Sequence, residues 1–199
     1  MKINITKKIL LSSLSAALLL TSSMGVLASE ENANVTLAQT QMTSTVEEIK
    51  SDLPGVYLAT GVNGIVNLTD STSIAQSYGL VSGEKPYAKI SDMDGRKSYL
   101  AQLCIDNIAQ TLNAAVGPAI DVEIGKMTSE GFSLLPEEGA PITLRVGIPK
   151  SFAQEGKTFA VVAIRPGGAV SVLNDMDNNP DTITFDTTAG KAVYALIKY

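Results

Sequence analysis

From Gly131 onward the spacing of the apolar residues changes from helical to strand-like. Ile142, Leu144, Val146 and Ile148 alternate with Thr143, Arg145 and Gly147 until Pro149 stops the run. A period of two places one set of side chains on one face of an extended chain and the other set on the opposite face, so this stretch is a half-buried strand. Phe159 to Ile164, Ala169 to Leu173, Thr182 to Phe185 and Ala192 to Ile197 repeat the theme as short apolar segments. Between the first two of these lies Arg165-Pro166-Gly167-Gly168, where Pro presets the first turn position and Gly supplies a positive φ at the second. Five or six short strands with turn residues between them predict an antiparallel β-sandwich over 129–199, Ig-like in general shape.

The preceding segment, 29–128, reads differently. Ala101, Cys104, Ile105, Ile108, Leu112, Ala115 and Val116 recur at three-and-four spacing, which predicts one long amphipathic helix over about Lys97 to Val116, ended by Gly117-Pro118. Shorter features surround it. A marginal helix is expected over Ser44 to Lys50, and a short one over Ser71 to Ser77 closed by Gly79. Strands are expected at Gly55 to Leu58, Gly64 to Leu68, Pro86 to Ile90 and Ile120 to Ile124, the first two joined as a hairpin through Asn63-Gly64. The predicted class is therefore α+β, an N-terminal mixed αβ segment beside a C-terminal antiparallel β-sandwich.

The segment from Met1 to Ala28 is not expected to belong to the fold. Lys2, Lys7 and Lys8 precede an uncharged apolar run from Ile9 to Leu20, and Val26-Leu27-Ala28 offers a small-residue exit, the pattern of a secretory signal peptide. Its Ser and Ala content makes a retained anchor helix the weaker alternative. Contact with membrane is accordingly expected only through the uncleaved signal segment. Cleavage before Ser29 removes three lysines and no acid, so a net charge of −5 becomes −8. An acidic surface with no basic cluster argues against nucleic acid as a partner. The C-terminal Tyr194 to Tyr199 reads as a strand and carries no sorting signal, so wall anchoring through it is not expected.

Missing residue types restrict the chemistry further. Without histidine there is no Ser-His-Asp or Cys-His pair and no imidazole ligand. With Cys104 as the one cysteine there is neither an intramolecular disulfide nor a four-cysteine zinc site. Cysteine avoidance in an exported chain fits a Gram-positive bacterium, and the sequons at Asn34 and Asn67 would matter only on a eukaryotic secretory route. Cys104 lies on the apolar helix face, where a core role outweighs that of a nucleophile. A Ser-Lys dyad finds no support in the lysine spacing, Lys150-Ser151 reading as a loop.

One oxygen-rich turn remains. Asp175, Asp177 and Asn179 stand at positions 1, 3 and 5 of a calcium loop, with Asp186 at position 12. Pro180 occupies the sixth position, where such a loop needs Gly, and a strand follows where a helix would. An ordinary Asp/Asn turn explains the same residues, which makes these three a weak metal candidate. Asp92-Met93-Asp94-Gly95 is weaker still. Tyr57, Tyr78, Tyr87 and Tyr99 would form a sugar platform only if several faced solvent together, and tryptophan is absent.

Ile148-Pro149-Lys150-Ser151-Phe152, Lys157 to Val162, Arg165-Pro166-Gly167-Gly168, Asp175 to Phe185 and Tyr194-Ala195-Leu196, taken in order, resemble the C-terminal β-module of uncharacterised secreted proteins from Gram-positive gut bacteria. The resemblance covers the stretch 129–199 and no more of the chain. It implies a secreted or surface-associated β-sandwich protein and no catalytic residue or cofactor. The sequence thus predicts a non-enzymatic extracellular binding module whose partner is a protein or a glycan. A calcium-stabilised structural module and a carboxylate-dependent hydrolase such as a glycosidase are the alternatives.

Overall fold

A computed structural model describes residues 51–199. The expected signal segment, the helix over Ser44 to Lys50 and the sequon at Asn34 lie outside the described residues. Among these there are ten strands and two α-helices: β1 (Gly55–Leu58), β2 (Ile65–Asn67), α1 (Ser71–Ser77), β3 (Lys85–Asp92), α2 (Tyr99–Thr111), β4 (Ala115–Thr128), β5 (Gly131–Leu134), β6 (Ile142–Gly147), β7 (Phe159–Ile164), β8 (Val170–Asn174), β9 (Thr182–Thr187) and β10 (Gly190–Lys198).

The strands form two sheets. The larger runs β1-β3-β4-β10-β7-β8, with β5 hairpinned onto β4, and the smaller runs β2-β6-β9. The smaller sheet is antiparallel throughout, whereas β1 joins β3 in parallel, so the larger is mixed. The protein is mostly β, with both sheets closing over one core. Ile142, Leu144 and Val146 of β6 and Ile183 and Phe185 of β9 meet Ile90, Val122, Ile124, Val161, Ala163, Tyr194 and Leu196 of the larger sheet. The period-two reading of β6 is reproduced, its odd-numbered Thr143 and Arg145 being only half-buried.

The far face of the larger sheet is covered by α2. Ile105 packs with Ala160, Val162 and Ile164 of β7 and Val193, Ala195 and Ile197 of β10, with Ala101, Cys104 and Ile108 against the same cluster. Strands β7 and β10 are thus covered on both sides, by β6 and β9 below and α2 above. That is why their sequences are continuous apolar runs instead of alternating ones. Each large side chain fully covered here contributes about 1.5 to 3 kcal/mol.

The end of α2 differs from the expectation. The helix stops at Leu112, and Asn113 takes a left-handed φ of 51°. Its N–H bonds to Gln110 O at 3.2 Å and that of Ala114 to Ala109 O at 2.8 Å, the double closure of a Schellman cap with Asn in place of Gly. Ala115 and Val116 therefore begin β4 and leave the helix face. Gly117-Pro118, expected as the helix stop, instead lies where β4 slips against β10. Val116 pairs with Ile197 and Ala119 with Ala195, so two residues oppose Leu196 in a bulge. A bulge is one of the few interior strand positions that tolerates Pro. Gly117 is required there for space, since a Cβ would lie 2.6 Å from the Phe152 ring.

The hairpin expected through Asn63-Gly64 is not formed. Gly64 has the positive φ, 96°, that such a turn needs, but β1 goes to the larger sheet and β2 to the smaller. The turn residue bends the chain from one sheet to the other. Strands from the two segments 29–128 and 129–199 share both sheets, β4 meeting β10 in the larger and β2 meeting β6 in the smaller. The boundary at 128/129 falls in the turn between β4 and β5, while β4 pairs β10 and β2 pairs β6 across it. The turn after β7 follows the expectation closely: Gly168 N–H donates to Arg165 O at 3.0 Å and Gly167 has φ 82°.

Candidate functional site

At one end of the two sheets lies a cleft of about 560 Å³. One wall is the segment before β7, Ala153 to Thr158, and the other is the turn between β8 and β9 with the first residue of β9, Asp175 to Thr182. Both walls are mostly connections, and each runs into the strand that anchors it, β7 at Phe159 and β9 at Thr182. The cleft contains the three oxygen-bearing residues singled out above.

Those residues are engaged with the backbone. Asp175 Oδ1 accepts from the N–H of Asp177 at 3.1 Å and of Thr184 at 2.9 Å. Asp177 Oδ1 accepts from Asn179 N–H at 2.8 Å, and Asn179 Oδ1 from Asp181 N–H at 3.0 Å. Each side chain thus closes the turn over the residue two places on, three Asx turns in succession. The other oxygen of Asp177 accepts from Thr182 Oγ1 at 3.2 Å and from Thr184 Oγ1, and faces Arg145 Nε at 3.2 Å. Asp175 Oδ1, both oxygens of Asp177 and Asn179 Oδ1, which a calcium loop would direct at a cation, accept instead from N–H and O–H donors. Asp186 is turned elsewhere and accepts from Thr143 Oγ1 at 2.6 Å. Among the described residues no group of three acidic or sulfur ligands is placed to hold a metal.

Arg145 is the residue that sequence reasoning left unassigned. It is a polar, outward position in the alternation of β6, and its partner Asp177 lies beyond two further strands, β7 and β8, along the chain. Its register opposite Thr184 puts the guanidinium beside the turn, where Nε also donates to Thr184 Oγ1 at 2.8 Å. The one available signal was a lone charged residue in the strand. The second cleft wall, Gln154 to Lys157, carried no signal, being a polar stretch with neither period nor motif.

No family model, curated protein or solved structure matches this chain.

The remaining candidates are accounted for by packing. Cys104 is partly buried against the helix-side core. Tyr57 donates its hydroxyl to Leu53 O at 2.8 Å, and Tyr78 donates to Ala140 O at 3.0 Å while accepting from Ala189 N–H at 2.9 Å. Tyr87 meets Phe132 edge-on at 6.1 Å, with Lys89 Nζ 4.0 Å from the Phe132 centroid. Tyr99 alone of the four is largely exposed. The four do not join in one exposed platform. Asp92, in the weaker acidic turn, ties β3 to the loop after β1: it accepts from Thr60 N–H at 3.0 Å, Gly61 N–H at 2.8 Å and Thr60 Oγ1 at 2.6 Å. Burial pushes its carboxyl up, and these hydrogen bonds outweigh that and hold it below the usual aspartate range. Asn67 is buried with its amide nitrogen bonded to Thr69 O, so its sequon is closed to modification in the folded chain.

Proposed function

We propose that this chain is an exported bacterial protein, secreted or surface-associated, that acts as a non-enzymatic binding module and takes a segment of extracellular protein or glycan into the cleft between Ala153–Thr158 and Asp175–Thr182. The observation that carries the reading is the construction of the cleft itself. Two connections meet at the end of a rigid sheet pair, and the acids of one wall hold that wall's shape. A concavity walled by loops on a packed scaffold is the usual form of a ligand site. The basic and apolar start of the sequence supports export, from a Gram-positive host by the cysteine usage and the resemblance over 129–199. The face-to-face sheets support the finer description of a sandwich of Ig-like outline.

A hydrolase of the glycosidase type would need one carboxyl group poised to donate a proton and a second to assist. Asp177 through both oxygens and Asp175 through Oδ1 are instead engaged by the donors described above, which makes them anchors of the turn. The exposed polar groups, Gln154, Glu155, Lys157 and Asn178, are suited to hydrogen bonding with sugar hydroxyls or peptide amides. The test is a panel of bacterial and host glycans and peptides titrated against isotopically labelled protein. Specific amide shifts confined to 153–158 and 175–182, weakened by Gln154→Ala with Asn178→Ala, support the reading. Turnover of any member, or binding that leaves those amides unmoved, overturns it.

A further inference from the structure

We propose that the cleft wall 154–157 is a hinged flap, the moving part of the site, pinned at its two ends to Lys198 and Tyr199 and swinging against a fixed opposite wall. This assignment rests on the cleft being the binding site and adds how the site opens and closes. The first hinge is Phe152. Its ring lies so close over Gly117 that a Cβ there would come within 2.6 Å of it, and it meets Phe159 edge-on at 6.1 Å. Lys198 places Nζ 4.6 Å from the ring centroid and donates to Phe152 O at 2.9 Å. The N–H groups of Phe152 and Ala153 both donate to Pro149 O at 2.8 Å. The second hinge is Thr158, which exchanges main-chain hydrogen bonds with Tyr199 at 3.1 Å in each direction.

Between the hinges little holds the chain. Gln154, Glu155, Gly156 and Lys157 are all exposed, and among the described residues their side chains make no hydrogen bond or ion pair. Their one internal bond, Lys157 N–H to Gln154 O, is 3.4 Å long. Gly156 takes φ 74° in open space, with nothing within 4 Å of where a Cβ would stand. The opposite wall is the reverse case. The N–H groups of Met176, Asp177, Asn179, Asp181 and Thr182 are all bonded, at 2.8 to 3.2 Å, and Arg145 holds Asp177 from behind. Local opening follows the weakest set of bonds. Swinging the flap breaks one bond near the limit of hydrogen-bonding length and uncovers no buried flap residue, whereas moving the other wall breaks all of those just named. Because both hinges are fixed, the flap turns about the line between them, toward or away from the Asp175–Thr182 wall. The N–H groups of Gln154, Glu155 and Gly156, which have no acceptor among the described residues, travel with it and supply donors to whatever the cleft admits.

The test uses the full chain without ligand, so its failure is separate from that of the cleft reading, which the glycan and peptide titration decides. Spin labels on Glu155→Cys and Asn178→Cys, in a Cys104→Ser background, should give a broad or two-peaked distance distribution. Labels on Ser133→Cys and Asn178→Cys, both on fixed parts, should give a single narrow one. Relative to their unfolded-chain rates, the amides of 154–157 should exchange about tenfold or more faster than those of Asp177, Asn179 and Asp181. Lys198→Ala loosens the first hinge and should widen the 155–178 distribution with the control pair unchanged. Phe152→Leu gives the same reading should that variant unfold. A single narrow 155–178 distance, amides of 154–157 as protected as those of the opposite wall, or a distribution indifferent to both hinge variants overturns the proposal.

Discussion

Asp177 links three parts of the chain through one carboxylate, accepting from the backbone of its own turn, from the hydroxyls of β9 and from Arg145 of β6. Asp177 and Arg145 expose 17% and 21% of their side chains, so removing one leaves the other's polar groups poorly solvated. Asp177→Ala is expected to cost about 1 to 3 kcal/mol, read as a lower urea midpoint at an unchanged slope. Asp177→Asn, which keeps an acceptor, should cost less. Asp92 supplies the pH dependence. Its folded pKa lies below its unfolded value, so its contribution is complete above the unfolded value and is lost as pH falls through the folded one. The amide shifts of Thr60 and Gly61 should therefore titrate together, below the ordinary aspartate range. Titration at or above the ordinary aspartate value would remove the argument.

Elements were legible wherever periodicity and local chemistry agreed. Strand β6 and the β7–β8 turn followed from their residues because the decisive partners are sequence neighbours or a simple alternation. Helix α2 was legible on its buried face and misread at its end. Asn113 is an unremarkable polar residue on paper, whereas Gly117-Pro118 is a strong stop; the chain closed the helix at the former and used the latter as a bulge against β10. Ala115 and Val116 kept helical spacing by coincidence. Ile105 is fully buried at the centre of the helix-to-sheet contact, so Ile105→Ala should destabilise by about 2 to 5 kcal/mol. Leu103→Ala, on the exposed side of the same helix, should stay within about 0.5 kcal/mol. Thermal or chemical melts of the pair distinguish a packed helix from a peripheral one.

Across the whole protein, the sheets are made jointly by residues before and after 129. Strand β10, the last in the chain, lies between β4 and β7 and completes the larger sheet. A fragment of residues 129–199 would keep β7 beside β10 but lose β4, β2 and α2. It is expected to show no cooperative thermal transition, where the full chain melts in one. A sharp, independent melt of the fragment would mean that its strands carry a core by themselves. Residue types and short-range periods were enough for the missing chemistries, the strand-rich character of the second half, the buried stripe of α2 and the residues of the Asp175 turn. Folding in three dimensions settled which strands pair, where α2 ends, that Gly64 turns between sheets, and that Arg145 meets Asp177. Those outcomes depend on contacts between residues far apart in the chain, and neither period nor propensity encodes them locally.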